Sequence, residues 1–462
     1  MLFLRQTCER LGETNTYLPR IEYMEERDKT RRRRRMQIHV VQPGQTLSGI
    51  AQAYDSSVEA IARANELPDP GRLVVGQALV IPIRGSYYWV RQGDTLYTIG
   101  QRFGISAAEL ARANQISQFR PLQVGMRLFI PPRPRPAADF NAYAEPRRTV
   151  TPALEADVRR AAPHLTYLAP FSFRIRRDGT LSPPPLNDFA QIARENRNVL
   201  MMVVTNLEGE RFSSDLGSLV LNDMSVQNRL LDNIISTSQR LGFGDIHFDL
   251  EALPAADRDA YVRFLRRARQ RASAVGKMVS AALAPKTRAD QPGLWYPAHD
   301  YRAIGEIVDF VVIMTYEWGY SGGPPMPVSP IGPVRRVLEY ALTEMPANKI
   351  LMGQNLYGYD WRLPFQPGTT ARSLSPQAAI ALARERNVNI QYDYQAQAPF
   401  FEYTDDDQNR HRVWFEDARS IQAKFNLVKE LGLRGVSYWK LGLPFPQNWL
   451  LIEDNFRVRK RV

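Results

Sequence analysis

The 462-residue chain has a single cysteine, Cys8. One thiol excludes an intrachain disulfide and any cysteine-based metal cluster, so packing and polar contacts must hold the fold. No run of about 18 apolar residues occurs, which excludes a membrane-spanning helix. The amino-terminal segment does not read as a secretory signal either. Met1-Leu2-Phe3-Leu4 is too short an apolar core, and Glu9, Glu13, Glu22, Glu25 and Glu26 interrupt the residues after it.

Positive charge, in contrast, is plentiful: the formal net charge is +12 and the pI is near 9.7. Such a balance favours nucleic acid, anionic lipid or an acidic cell-wall polymer as surroundings. Part of it is local, because residues 1–35 carry ten basic and six acidic side chains, including the run Arg31 to Arg35. Residues 1–36 read as a disordered basic tail, or as an over-long start, since Met36 directly abuts the first folded unit; the second reading is preferred. Elsewhere the basic residues are scattered and no nucleic-acid reading motif appears, so no nucleic-acid partner is expected. The length calls for two or more domains, and a hydrophobic content of 44% suits a globular protein.

The first hundred residues after the tail contain a repeat. Val41-Gln42-Pro43-Gly44-Gln45-Thr46-Leu47-Ser48-Gly49-Ile50 recurs as Val90-Arg91-Gln92-Gly93-Asp94-Thr95-Leu96-Tyr97-Thr98-Ile99. The register stays constant through Ala64-Asn65 and Ala113-Asn114, Val75-Gly76 and Val124-Gly125, and Ile81-Pro82 and Ile130-Pro131, which marks tandem copies of one small unit. Each copy reads as strand, helix, helix, strand. Thr46 caps the first helix, and Ser56 to Glu59 and Ser106 to Glu109 have capping-box spacing for the second. Asn65 and Asn114 are expected to end those helices in a left-handed conformation. The pattern resembles the LysM domain, over residues 37–83 and 86–132. That resemblance implies binding of N-acetylglucosamine-containing glycans, peptidoglycan or chitin, by Gly44, Gln45, Thr46, Leu47, Leu73 and Val74, and by Gly93, Asp94, Thr95, Leu96 and Gln123. Two weak modules in tandem gain from effective concentration on one polymer.

Pro131-Pro132-Arg133-Pro134-Arg135-Pro136 opens a stiff linker, taken as residues 133–148. From 149 to 462 apolar strands alternate with amphipathic stretches: Leu165 to Phe171, Val199 to Thr205, Ile246 to Glu251, Met278 to Leu283, Val308 to Tyr316, Ile350 to Tyr357 and Gly435 to Leu441, with Phe173 to Arg176 as an eighth. Buried strands separated by helices indicate an α/β fold with a parallel sheet, and this length fits a (β/α)8 (TIM) barrel. Residues 358–433 exceed one helical crossover and read as a small α+β insertion.

Within the strand that ends at Glu251, Asp245, His247, Asp249 and Glu251 alternate with Ile246, Phe248 and Leu250, so four ionisable groups share one face. A solvated edge strand has the same alternation, but a carboxylate row at the carboxyl end of a barrel strand is where such a fold keeps its chemistry. Asn206, Tyr316, Glu317, Trp318, Tyr357 and Trp439 end neighbouring strands, and aromatic faces beside carboxylates suit a carbohydrate.

Residues 242–251 resemble the glycoside hydrolase family 18 signature, an Asp-x-Asp-x-Glu row, and Met314-Thr315-Tyr316-Glu317 resembles that family's Met-x-Tyr-Asp. Leu356 to Trp361, Val413 to Asp417 and Tyr438 to Trp449 resemble its LysM-bearing spore cortex-lytic and germination members. The resemblance implies substrate-assisted retaining hydrolysis without metal or cofactor, with Glu251, Asp249 and Tyr316 catalytic. Trp439, Tyr357, Glu317, Trp318, Asn206 and His247 would line the subsite. His247 departs from the family's Asp; an imidazole bonded to Asp249, if charged, would hold that carboxylate ionised and shift the pH profile. The implied setting is the spore coat and cortex, reached without a signal peptide by a monomer. The alternatives are a weak or inactive glycan-binding coat protein, or a chitinase-type enzyme.

Overall fold

The structure, a computed structural model, describes residues 35–83, 86–119, 121–131 and 135–461. The expectations for the amino-terminal tail and for Pro132 to Pro134 lie outside the described residues. Backbone contacts divide the chain into two compact units, the second of which contains residues 135–462.

Each repeat is the expected strand, helix, helix, strand unit. In the first, strands Arg35–Val40 and Ala78–Ile83 enclose helices Leu47–Ala53 and Val58–Asn65. In the second, strands Ser86–Trp89 and Arg127–Ile130 pair antiparallel around helices Leu96–Phe103 and Ala107–Ala113. The second helix of the first repeat is capped by Ser57, whose hydroxyl accepts from the Ala60 N–H; Ser56 instead bonds the Pro82 carbonyl. The repeated asparagines do a different job from the one expected. Asn65 donates to the Ile61 and Val80 carbonyls and accepts from the Val80 N–H, and Asn114 does the same with Leu110 and Phe129. Each is a latch between helix and closing strand, while Glu66 and Gln115 take the left-handed turn.

The second unit is a closed barrel of eight parallel strands. In order they are Ala137–Ala144, Tyr167–Pro170, Val199–Thr205, Asp245–Asp249, Met278–Leu283, Phe310–Ile313, Ile350–Asn355 and Gly435–Trp439. Pairing of strand four with strand three closes the ring. The sequence placed strand one inside the linker. Its alanine-rich stretch directly follows the proline run and lacks the long aliphatic residues that mark the other strands. It is nonetheless buried, pairing with strand eight (Gly435 beside Asp139) and strand two (Asn141 beside Tyr167). A Cβ at Gly435 would lie 1.8 Å from the Asp139 carbonyl oxygen, so that close approach requires glycine. Asp139, fully buried at the barrel's base, is held by Arg434 (2.8 Å), Arg459 (3.4 Å) and Arg461 (2.8 Å).

Phe173–Ile175 is therefore not a ring strand. It runs parallel to strand three and forms a hairpin with Leu181–Ser182 at the rim. The insertion after strand seven is a five-stranded sheet packed on the helix Pro376–Glu385, and it is shorter than expected. Its last strand ends at Trp414; the helix Ala418–Glu430 beyond it is the barrel's own crossover into strand eight.

Candidate active site

The site is built on strand four. All five residues of Asp245–Asp249 are buried, the apolar ones toward the helices and the polar ones toward the barrel axis. The parallel register sets His247 beside Ser280 on strand five. The His247 Nδ1 lies 2.7 Å from the Ser280 hydroxyl, which donates to Asp245 Oδ2 at 2.6 Å. On the other side His247 Nε2 is 2.8 Å from the Tyr143 hydroxyl of strand one. The serine proton is committed to Asp245, so Nδ1 carries the imidazole hydrogen and Nε2 accepts from Tyr143.

Burial pushes His247 down to about 3 and Asp245 up to about 7. His247 is thus neutral, with both nitrogens spent inside the barrel. It neither bonds Asp249 nor charges it, against the sequence expectation, because one ring nitrogen meets Ser280 on the adjoining strand five and the other meets Tyr143 on strand one across the barrel. Asp245, given no role from sequence, closes this relay.

Asp249 comes next on the same face. Its Oδ1 is buried and has no hydrogen-bond partner among the described residues. An unsatisfied buried acceptor costs about 1–3 kcal/mol, so this atom is set for an incoming N–H. Glu251 stands just beyond the strand end, and its carboxyl makes no hydrogen bond to the described residues. Burial raises both carboxyls above their ordinary range, and the nearby Asp249 charge raises Glu251 further.

The backbone of Glu251 is held on both sides by one side chain. Asn206 Oδ1 accepts from the Glu251 N–H at 3.0 Å, and its Nδ2 donates to the Glu251 carbonyl at 2.9 Å and to the Ser213 carbonyl at 3.0 Å. Asn206 is fully buried and its amide is used by the protein, so it positions the carboxylate's strand end and does not line a subsite. Asn206→Ala is expected to lower kcat about tenfold with KM little changed, as measured by steady-state kinetics; a change in KM alone would contradict this assignment.

Tyr316 reaches the same space from strand six. Burial holds its hydroxyl proton well beyond neutral pH, and that hydroxyl has no partner among the described residues. Gly353 makes room for the ring, since a Cβ there would sit 3.0 Å from Tyr316 Cε1 and 2.5 Å from the Ile313 carbonyl. Glu317 is turned away by a left-handed backbone (φ 66°), and its carboxylate accepts from the Tyr357 and Tyr359 hydroxyls, the latter at 3.1 Å. Trp439 ends strand eight, half-buried, with Phe171 edge-on at 4.8 Å and Tyr143 at 5.5 Å between ring centroids. Trp318 is also half-buried, on the rim. Tyr143 and Ser280 were missed from sequence: the first lies in the unrecognised strand one, and the second is an ordinary serine that only the register brings to His247.

In the repeats, Leu47, Leu96 and Val74 are core residues and are withdrawn from any glycan surface. Asp94 is occupied too, accepting from the Tyr88 hydroxyl (2.5 Å) and the Arg91 N–H (2.7 Å). Thr46 and Thr95 cap helices. Gly44, Gln45, Gly93 and Gln123 are exposed loop residues, and Leu73 is half-buried.

A closed parallel barrel with the row His247-x-Asp249-x-Glu251 at the end of strand four is the arrangement of a class of glycosidase. The chain belongs to the glycosyl hydrolases family 18, whose model matches residues 147–443, and it carries two LysM domains, matched at 39–82 and 88–131. It is 63% identical over 429 residues to the cortical fragment-lytic enzyme of Bacillus subtilis (strain 168), covering 92% of this chain and all of that one. Among solved structures it is similar to the spore cortex-lytic enzyme SleL of Bacillus megaterium QM B1551 (TM-score 0.86, 53% identity, 92% and 99% of the two chains). The SleL of Bacillus cereus is similar as well (TM-score 0.84, 48% identity, 92% and 99%).

Proposed function

We propose that this glycoside hydrolase cleaves β-linked N-acetylglucosamine bonds in spore cortex peptidoglycan during germination, by substrate-assisted retaining hydrolysis. The observation that carries the reading is the pair of unpartnered groups, Asp249 Oδ1 and the Tyr316 hydroxyl, beside Glu251, whose carboxyl burial and the Asp249 charge raise well above the ordinary range. An acetamido group has one N–H and one carbonyl, which match that acceptor and that donor.

In the first step the substrate's acetamido oxygen attacks the anomeric carbon as the glycosidic C–O bond breaks, and Glu251 gives its proton to the leaving oxygen. Asp249 accepts from the acetamido N–H and stabilises the oxazolinium cation; Tyr316 orients the attacking carbonyl. In the second step Glu251, now a carboxylate, takes a proton from water, which adds at the anomeric carbon and restores the acetamide with retained configuration. Trp439 floors the sugar whose bond is cut. Glu317, tied to Tyr357 and Tyr359, fixes the neighbouring wall. The repeats hold the enzyme on the polymer through the exposed loop residues Gly44, Gln45, Gly93 and Gln123. Among the described residues no helix is long and apolar enough to cross a membrane.

The test is release of reducing muropeptides from isolated cortex peptidoglycan. Release by the chain as it stands supports the reading. Tight binding without release would favour a glycan-binding coat protein, and release from chitin alone would favour a chitinase.

A further inference from the structure

A cavity of about 290 Å³ opens between the loops after strands five and six, outside the catalytic row. Its wall includes Arg288, Tyr296, Trp318 and Arg336. The volume is at the small end of ligand pockets and suits one sugar ring with a substituent. Arg336 is exposed and has no acidic partner among the described residues, and Arg288 meets only Asp290, in a pair where both side chains are mostly exposed (63% and 85%). The helix that carries Arg336, Ile331–Glu344, has no acidic residue in its first turn, so its positive end adds to the field of the two guanidinium groups. Pro333, in that first turn, lines the same cavity. The loop that carries Arg288 also exposes Trp295 (42%).

We propose that this cavity is an acceptor-side subsite that recognises a carboxylate on the glycan, either the 3-O-lactyl group of a muramyl residue or the peptide attached to it. The inference rests on the glycosidase reading, because that reading places the sugar being cut on Trp439 of strand eight and its leaving group past Glu251 of strand four. Strand five adjoins strand four, and Trp318, which follows Glu317 at the rim, lines the cavity, so the cavity stands on the strand-five and strand-six side of the carboxylate row. A neutral glycan such as chitin offers the tyrosine and tryptophan faces a sugar ring but leaves Arg336 without an acidic partner and Arg288 with only the exposed Asp290. A carboxylate satisfies them with charge-assisted, fork-shaped hydrogen bonds.

The experiment uses the full chain in a Glu251→Gln background, so that binding is read without turnover. Dissociation constants are measured for three tetrasaccharides: a chitin fragment, a peptidoglycan fragment with free lactyl carboxylates, and one with its stem peptides attached. Arg288→Gln and Arg336→Gln are each expected to weaken a carboxylate-bearing fragment about tenfold and the chitin fragment less than twofold, with the lysine variants keeping most of the affinity. A loss confined to the lactyl fragment assigns the lactyl group, and one seen only with attached peptide assigns the peptide. Equal losses on all three fragments, or none on any, overturn the proposal. Failure of the unsubstituted chain to release muropeptides from cortex is a separate result that counts against the glycosidase reading, since these binding differences do not depend on catalysis.

Discussion

Glu251→Gln is expected to lower turnover of cortex glycan by about 10²–10⁴-fold with KM little changed. Glutamine keeps the size and the half-buried position but has no proton to give the leaving oxygen. The acetamido nucleophile, Asp249 and Tyr316 remain, so a residual rate above the uncatalysed one persists. The pH dependence comes from the same carboxyl. Burial and the Asp249 charge raise Glu251, so its catalytically needed proton is retained above the ordinary carboxylate range. Activity is present below that raised pKa and falls as pH rises through it. Steady-state kinetics from pH 4 to 9 would show an alkaline limb in the parent enzyme and none in the residual activity of the variant. Equal turnover by the two proteins would remove Glu251 from its role as acid.

His247→Asn has the second large effect, and it is an effect on stability. His247 is neutral in the fold, held down to about 3 by burial, and protonates near its ordinary 6.5 when unfolded. Its folded pKa is depressed, so the unfolded state binds more protons between those values and stability falls as pH drops below 6.5. The slope approaches 1.4 kcal/mol per pH unit, or about 3 kcal/mol between pH 6.5 and 4. Asparagine does not titrate, so the variant escapes this loss. It also fails to span from Ser280 to Tyr143, which costs about 1–3 kcal/mol at pH 8. Asp245, raised to about 7, contributes the opposite slope, stabilising most at low pH; because it is present in both proteins, it largely cancels from their difference. Urea unfolding at pH 8 and pH 4 should therefore show the variant less stable at the higher pH, with the gap closing or reversing at the lower one. Parallel stability curves would show that His247 does not change charge on unfolding in this range.

The relay also shows where a sequence reading stops. His247 stands at the one position in strand four that departs from the family pattern, and its type was plain from the chain. Its partners were not. A histidine two residues before Asp249 points to the same side of a strand, and same-strand neighbours are all that alternation reveals. Ser280 lies on the adjoining strand five and Tyr143 on strand one across the barrel, at sequence separations of 33 and 104 residues. Only the barrel's register brings them to the imidazole.

By itself the sequence determined the element types, the tandem repeats with their glycine turns and most of their caps, and seven of the eight barrel strands, and it brought forward Asp249, Glu251, Tyr316 and Trp439 as candidates. These come from local chemistry: side-chain period, capping hydroxyls, and a carboxylate row at a strand end. The tertiary structure alone decided strand one, the neutral state of His247, the use of Asn206 as a backbone clamp, and the withdrawal of Leu47, Leu96 and Val74 into cores. Each of these depends on which groups from distant parts of the chain share a buried space, because burial and hydrogen-bond partners set both protonation and availability. An alanine-rich segment after a proline run has little intrinsic tendency to be a strand. It becomes one here because strands two and eight leave a gap that only it can close.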